Sequence, residues 1–275
     1  MILSLCNEVL REHNFPDLCR MAAGLGYQGL EIAPFTLADD PFLLSDAEIA
    51  ALRRIVEDHG LVVTGLHWLL VAPKGLSITS GDASIKAKTG DLIKRLIEIC
   101  GLFGGGVLVH GSPEQRALSH AHSPMAARAN ATELLTRVAS WAQQADVLYC
   151  IEPLGTNQTD FINTIDEAID LVDIIGSSHF KTMIDTASAG VQEPLSVAET
   201  IRKYWPTGKV AHIQLNDTNL RAPGQGENRF FPVFQALRDV GYDGVVAVEP
   251  FIYEPDGPTT AAIAAGYVRG ILETL

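Results

Sequence analysis

Short runs rich in Val, Ile and Leu alternate with longer amphipathic stretches along the whole chain, and the alternation repeats about eight times. The apolar runs fall near residues 2–6, 28–33, 61–67, 106–110, 147–152, 180–185, 209–215 and 243–249. Runs this short and this continuously apolar suit strands of a parallel sheet covered on both faces by crossover helices. Helices are expected between them, near 15–24, 46–59, 84–102, 125–145, 164–175, 195–203 and 230–239, with a last one near 258–274. No Pro-rich linker, low-complexity tract or second composition regime divides the chain, so one domain spanning residues 1–275 is expected. Eight strand–helix units in one domain favour a closed (β/α)₈ TIM barrel, although a doubly wound open sheet satisfies the same periodicity.

Several boundaries carry their own signal. Ser45-Asp46-Ala47-Glu48 ahead of an apolar-periodic segment has the pattern of a capping box, so a helix should start there. Glu57-Asp58-His59-Gly60 puts a glycine where that helix can end in a left-handed residue before the next strand. Two segments echo one another: Gly26-Tyr27-Gln28-Gly29 precedes Leu30-Glu31-Ile32, and Gly241-Tyr242-Asp243-Gly244 precedes the run from Val245 to Glu249. Both read as a helix end, a tight turn and a strand that contains or ends in Glu.

Composition narrows the class of partner. Apolar residues make up 47% and charged residues 19%, enough for a sizeable core. The formal charge of −13, with Lys and Arg scattered, disfavours nucleic acid and anionic membranes. Cys6, Cys19, Cys100 and Cys150 lack the spacing of a disulfide scaffold or zinc knuckle and read as buried thiols. The N-terminus runs from Met-Ile-Leu-Ser-Leu-Cys directly to Asn7 and Glu8 without a basic region, which does not read as a signal sequence. No stretch approaches the roughly 18 apolar residues of a membrane span. A cytoplasmic location is the resulting expectation.

In a barrel, the strand ends that lead into the helices form the active-site face, so polar residues closing apolar strands carry information. His67 follows Val62–Leu66, His110 follows Val107-Leu108-Val109, Glu152 follows Tyr149-Cys150-Ile151, and Asp185 follows Thr182-Met183-Ile184. The seventh strand holds His212 and Gln214, and the eighth run ends at Glu249. Taken singly, a strand-end His is more often a core or rim residue, and a strand-end carboxylate is often a helix cap. Together, three carboxylates on strands five, six and eight would converge on one axis and repel one another severely unless a cation lies between them. Oxygen ligands with one amide or imidazole suit Mn²⁺, Mg²⁺ or Co²⁺ better than a thiolate-rich zinc centre. His212 and Gln214 lie two apart, on the same face of their strand, and only one need touch the metal.

Four motifs carry a family resemblance: Ile151-Glu152-Pro153-Leu154, Met183-Ile184-Asp185-Thr186, His212-Ile213-Gln214-Leu215-Asn216-Asp217 and Val248-Glu249-Pro250-Phe251. In this order they resemble the xylose isomerase-like barrel superfamily, which includes ketose 3-epimerases, hydroxypyruvate isomerases, inosose dehydratases and DNA-repair endonucleases. The resemblance implies one divalent ion held by Glu152, Asp185, Gln214 and Glu249, with His212 as the alternative to Gln214. The epimerases carry His at the position of Gln214, whereas hydroxypyruvate isomerases carry Gln. Arg221, in Asn219-Leu220-Arg221-Ala222-Pro223-Gly224, looks like the family arginine that contacts substrate oxygens. One departure bears on the substrate: the substrate-binding His that epimerases place three residues after the Asp ligand is here Ser188. The repair endonucleases match poorly, since the chain lacks their additional ligands and basic face.

The expected activity is that of an isomerase: epimerisation of a small ketose at carbon 3 through a metal-stabilised enediolate, with Glu152 and Glu249 as paired acid and base. His67, His110 and His212 would contact substrate, and Trp68 and Phe251 would supply an apolar wall. Hydroxypyruvate isomerase-like or other aldose–ketose chemistry, and dehydration of a keto-sugar, use the same machinery. A non-catalytic sugar-binding barrel is the rival from another class, but binding alone does not need two opposed bases. Gly104-Gly105-Gly106 precedes a strand and so reads as a helix exit instead of a phosphate cradle, which favours a free sugar. The segment from Val71 to Ser80 is too apolar and long for a simple loop, and is expected to cover the site or join a subunit interface in a homo-oligomer.

Overall fold

The computed structural model of the protein describes residues 1–275. Its strands are β1 (Ile2–Cys6), β2 (Gly29–Ile32), β3 (Val62–Leu66), β4 (Val107–His110), β5 (Leu148–Ile151), β6 (Phe180–Asp185), β7 (Val210–Leu215) and β8 (Val245–Val248). They form a closed barrel in sequence order, which removes the open-sheet alternative. Closure is visible at β1, where Leu5 pairs in parallel with Leu30 of β2 on one side and Val248 of β8 on the other. The helices are α1 (Phe15–Gly24), α2 (Asp46–Asp58), α3 (Ala83–Phe103), α4 (Pro124–Gln144), α5 (Ile165–Ile175), α6 (Thr186–Gln192), α7 (Val197–Tyr204), α8 (Phe231–Asp239) and α9 (Gly257–Leu272).

Only α6 has no counterpart in the expected helices. It is seven residues long, has no apolar stripe and follows β6 without a loop, so hydrophobic periodicity carries no trace of it. Its start is set by Asp185, whose side chain accepts the Ser188 amide at 2.7 Å. Elsewhere the local signals act as read. Ser45 and Glu48 close a capping box on α2, with Ser45 N donating to Glu48 Oε2 at 2.8 Å and Glu48 N to Ser45 Oγ at 3.3 Å. The two Gly-Tyr echoes are the same helix ending used twice. Gly26 and Gly241 adopt φ of 89° and 72°, while the Tyr27 and Tyr242 amides reach back to Ala22 O at 3.1 Å and Leu237 O at 2.8 Å.

The chain forms two compact units. One comprises Met1–Ile32, Ala51–Thr64 and Met183–Leu275. Here β1 pairs with β2 and β8, and β7 with β8, with Leu3, Leu5, Ile32, Ile213 and Val246 in the core. The other comprises Ala33–Ala50 and Gly65–Thr182, and in it β5 pairs with β4 and with the first residues of β6. Within this second unit the apolar segment after β3 is buried from Leu76 to Ser80. It is held by Ile78 N on Gln115 O at 2.9 Å, Ser77 N on Thr89 Oγ1 at 2.9 Å and Thr79 Oγ1 on Ala117 O at 2.7 Å. All four cysteines are buried and free, and no helix is long and apolar enough to cross a membrane.

Ser45→Ala removes the side-chain half of the α2 cap, the Ser45 Oγ contacts with Glu48, while the backbone amide at residue 45 keeps its bond to the Glu48 carboxylate and nothing in the core is touched. It should lower the unfolding free energy by about 1 kcal/mol, read as a shift of the urea midpoint at unchanged slope; an unmoved midpoint would contradict this account of the helix start.

Candidate active site

Glu152 follows β5 directly, and its backbone is fixed from both sides. Its amide donates to His110 O at 3.2 Å, and Arg116 Nη1 donates to its carbonyl at 2.7 Å. Arg116 is itself fully buried, in the short turn Glu114–Arg116, and its Nη2 donates to His110 O. Burial lowers the Arg116 guanidinium to about 10, with the charge of Glu152 opposing the shift, so it stays cationic at neutral pH. The Glu152 carboxylate occupies space that a side chain at Gly111 would take, since a Cβ there would lie 1.9 Å from Glu152 Oε2. His110 is fully buried, with Nδ1 2.6 Å from the Tyr149 hydroxyl. Burial first, and Arg116 second, push its imidazole well below the usual range, so it is neutral, and its Nε2 has no hydrogen-bond partner. His67 is fully buried as well.

The two oxygens of Asp185 have different surroundings. Oδ1 caps α6 through the Ser188 amide, while the buried Oδ2 has no hydrogen-bond partner. Burial pushes this carboxyl up to about 6, against the opposing effect of hydrogen bonds from Ser188, Asn216 and Ala187. Asn216 ties the neighbouring strand ends together. Its Oδ1 accepts the Ala187 amide at 2.9 Å, its Nδ2 donates to Glu249 O at 3.1 Å, and its own amide donates to Thr186 Oγ1 at 2.8 Å. The Glu249 amide donates to Leu215 O at 3.1 Å, completing the frame. On β7, Gln214 Nε2 donates to Glu31 Oε1 at 2.7 Å, and His212 Nε2 lies 2.7 Å from Glu31 Oε2. All three side chains are buried.

The structure gathers Glu152, Asp185 and Glu249 into one buried group whose ligand atoms all lie within 4.8 Å of one another. Such a group could hold a metal ion. Its chemistry fits a divalent cation: three carboxylates crowd one buried space, and Asp185 Oδ2 and Gln214 Oε1 are left without protein partners. A second group, Cys6, Glu8, His67 and Glu249, meets the same distance criterion and shares Glu249 with the first. Burial and the charges of Glu31, Glu8, Glu249 and Asp185 raise the Cys6 thiol well above its usual range, so it is held protonated.

The other expected residues have the following surroundings. The Arg221 guanidinium is paired with Glu254, and Ser188 contributes its amide to the Asp185 cap. Trp68 is half-buried with a φ of 52°, and Phe251 is half-buried with its amide on Leu220 O at 2.9 Å. Two residues of the site were not singled out by sequence reasoning. Glu31 had a signal, a carboxylate inside an apolar strand run. Arg116 had none, because it lies in an irregular loop beyond the strand end.

The family model described as "Xylose isomerase-like TIM barrel" matches residues 19–270, and the chain belongs to this family. Among curated relatives, the D-psicose 3-epimerase of Enterocloster bolteae is 31% identical over 235 residues, 84% of this chain and 75% of that protein. The D-psicose 3-epimerase of Agrobacterium fabrum is 27% identical over 249 residues, covering 86% and 80%. The D-psicose 3-epimerase of Clostridium cellulolyticum H10, solved with D-tagatose, superposes with a TM-score of 0.83 at 21% identity, covering 99% of both chains. These relatives are ketose 3-epimerases, enzymes of the isomerase class.

Gly111→Ala places a methyl group on the Glu152 carboxylate and should weaken Mn²⁺ binding by roughly tenfold or more while the circular dichroism spectrum stays native. Calorimetric titration with Mn²⁺ reads the change; an affinity equal to that of the unaltered protein would show that the carboxylate position does not matter to the ion.

Proposed function

We propose that the protein is a metal-dependent ketose 3-epimerase acting on a small, unphosphorylated sugar. The observation that carries this reading is the buried convergence of Glu152, Asp185 and Glu249 in a chain whose curated relatives are named as 3-epimerases. Glu152, Asp185, Gln214 and Glu249 would hold the ion, and their oxygen donors suit Mn²⁺, Mg²⁺ or Co²⁺. A bound ion supplies Lewis acidity, drawing electron density from the ketose carbonyl so that the C–H at carbon 3 becomes acidic.

The chain's own residues then move the proton. Glu152 follows β5 and Glu249 follows β8, and as an acid–base pair they would act on a sugar from different sides. One carboxylate takes the proton from carbon 3 as the C–H bond breaks, and its electron pair shifts toward the carbonyl. The other, protonated from solvent before the step, delivers its proton to the opposite face, which inverts the centre and leaves the two glutamates with their protonation states exchanged. The paired backbone contacts from Arg116 and His110 fix Glu152, and those from Asn216 and Leu215 fix Glu249, so neither has to be ordered during the reaction. The neutral, buried His110 offers Nε2 to a substrate hydroxyl.

The test is deuterium exchange followed by NMR. The Mn²⁺-loaded enzyme in D₂O with D-psicose should incorporate label at carbon 3 and yield the 3-epimer, and EDTA should abolish both. Glu152→Gln and Glu249→Gln should each lower turnover by about 10²–10⁴-fold with the fold intact; near-native turnover in both would overturn the mechanism. Label appearing in an aldose product would instead favour aldose–ketose isomerisation, the activity that Gln214 suggests by resemblance.

A further inference from the structure

We propose that Glu31 is the positioning residue of the metal centre, setting which atom of Gln214 faces the ion; the proposal rests on the reading of Gln214 as a ligand. The topology supplies the first step. In the closed ring, β2 and β7 are not neighbours, because β8 and β1 lie between them. The hydrogen bond from Gln214 Nε2 to Glu31 Oε1, across 183 residues of sequence, therefore passes through the barrel interior, and both side chains point inward.

The second step is chemical. A glutamine amide has a donor end and an acceptor end of nearly equal size, so its shape alone does not decide which end faces a neighbour. Gln214 Nε2 donates to a Glu31 carboxylate oxygen, so the amide turns its NH₂ toward Glu31. Its Oε1 is then on the other side, buried and without a hydrogen-bond partner. The opposite orientation would set an oxygen against the Glu31 carboxylate and present an NH₂ to a cation. Glu31 removes that alternative.

Glu31 can act this way because it is itself held in place. It is fully buried, its Oε2 lies 2.7 Å from His212 Nε2, and the Cys6 thiol donates to its Oε1 at 3.9 Å. A fully buried carboxylate is costly to maintain unless it is paired. Glu31 belongs to neither of the groups that could bind an ion directly, so its role is exerted through Gln214.

The experiment is a double-mutant cycle on Mn²⁺ affinity, with free Mn²⁺ followed by electron paramagnetic resonance and the metal-free proteins compared by circular dichroism and melting temperature. Glu31→Gln lets the Gln214 amide turn over, and should weaken Mn²⁺ binding by about 10–100-fold. Gln214→Ala should weaken it comparably, and the double variant should be no weaker than Gln214→Ala alone. Affinity of Glu31→Gln within twofold of the unaltered protein would overturn the proposal. So would a loss from Glu31→Gln that is equally large with and without the Gln214→Ala substitution, since that marks a general structural role. Should Glu31→Gln fail to fold, Glu31→Asp keeps the charge but withdraws it from the amide, and the same cycle applies with the same expected and overturning results. Failure of the unaltered protein to bind Mn²⁺ is a separate outcome: it overturns the metal reading itself, and this inference with it.

Discussion

Three buried carboxylates, each with an oxygen within 4.8 Å of an oxygen of the other two, are the constraint around which the rest of the site is arranged. Ionised and uncompensated, they repel one another strongly in a medium that screens poorly. Burial already drives Asp185 partway toward its neutral form, as its carboxyl at about 6 records. A divalent cation between them would relieve that repulsion, and the group could hold one. The backbone of Glu152 is held by Arg116 and His110, and that of Glu249 by Asn216 and Leu215.

The supporting contacts come largely from outside the strands. Asn216 lies just past β7 and joins the backbone beside Asp185 to that of Glu249, so two strand ends are tied to one side chain. Arg116 does the same for the β4 and β5 ends, with one guanidinium spanning the carbonyls of His110 and Glu152. Each device spans two strand ends with one planar, multiply bonding group, where fixed geometry costs little further entropy on forming each bond.

The strands and eight of the helices were legible in the sequence because their signals are local. Apolar runs mark the strands, and Ser45-to-Glu48 and the Gly-Tyr turns mark helix starts and ends through hydrogen bonds within a few residues. The strand-end polar residues were legible for the same reason, since a Glu or Asp closing an apolar run stands out. What could not be read was anything set by contact across the ring. Glu31 is as visible in the sequence as Glu249, but its engagement with His212 and Gln214 depends on the strand order. Arg116 sits in a loop whose path has no periodicity to follow, and α6 is started by a capping side chain instead of an apolar face. The pairing of Arg221 with Glu254, from the segments that follow β7 and β8, is likewise a product of tertiary placement.

The double use of Asp185 restricts what evolution can place there. Asparagine would keep the cap on α6, but it would bring a neutral amide into a space built for negative charge. Glutamate would keep the charge, but its extra methylene carries the oxygen away from the Ser188 amide that a short side chain reaches at 2.7 Å. Each conservative exchange preserves one task and forfeits the other. With Asp185 as a metal ligand, neither exchange would be neutral, which would leave changes of specificity to residues with a single obligation.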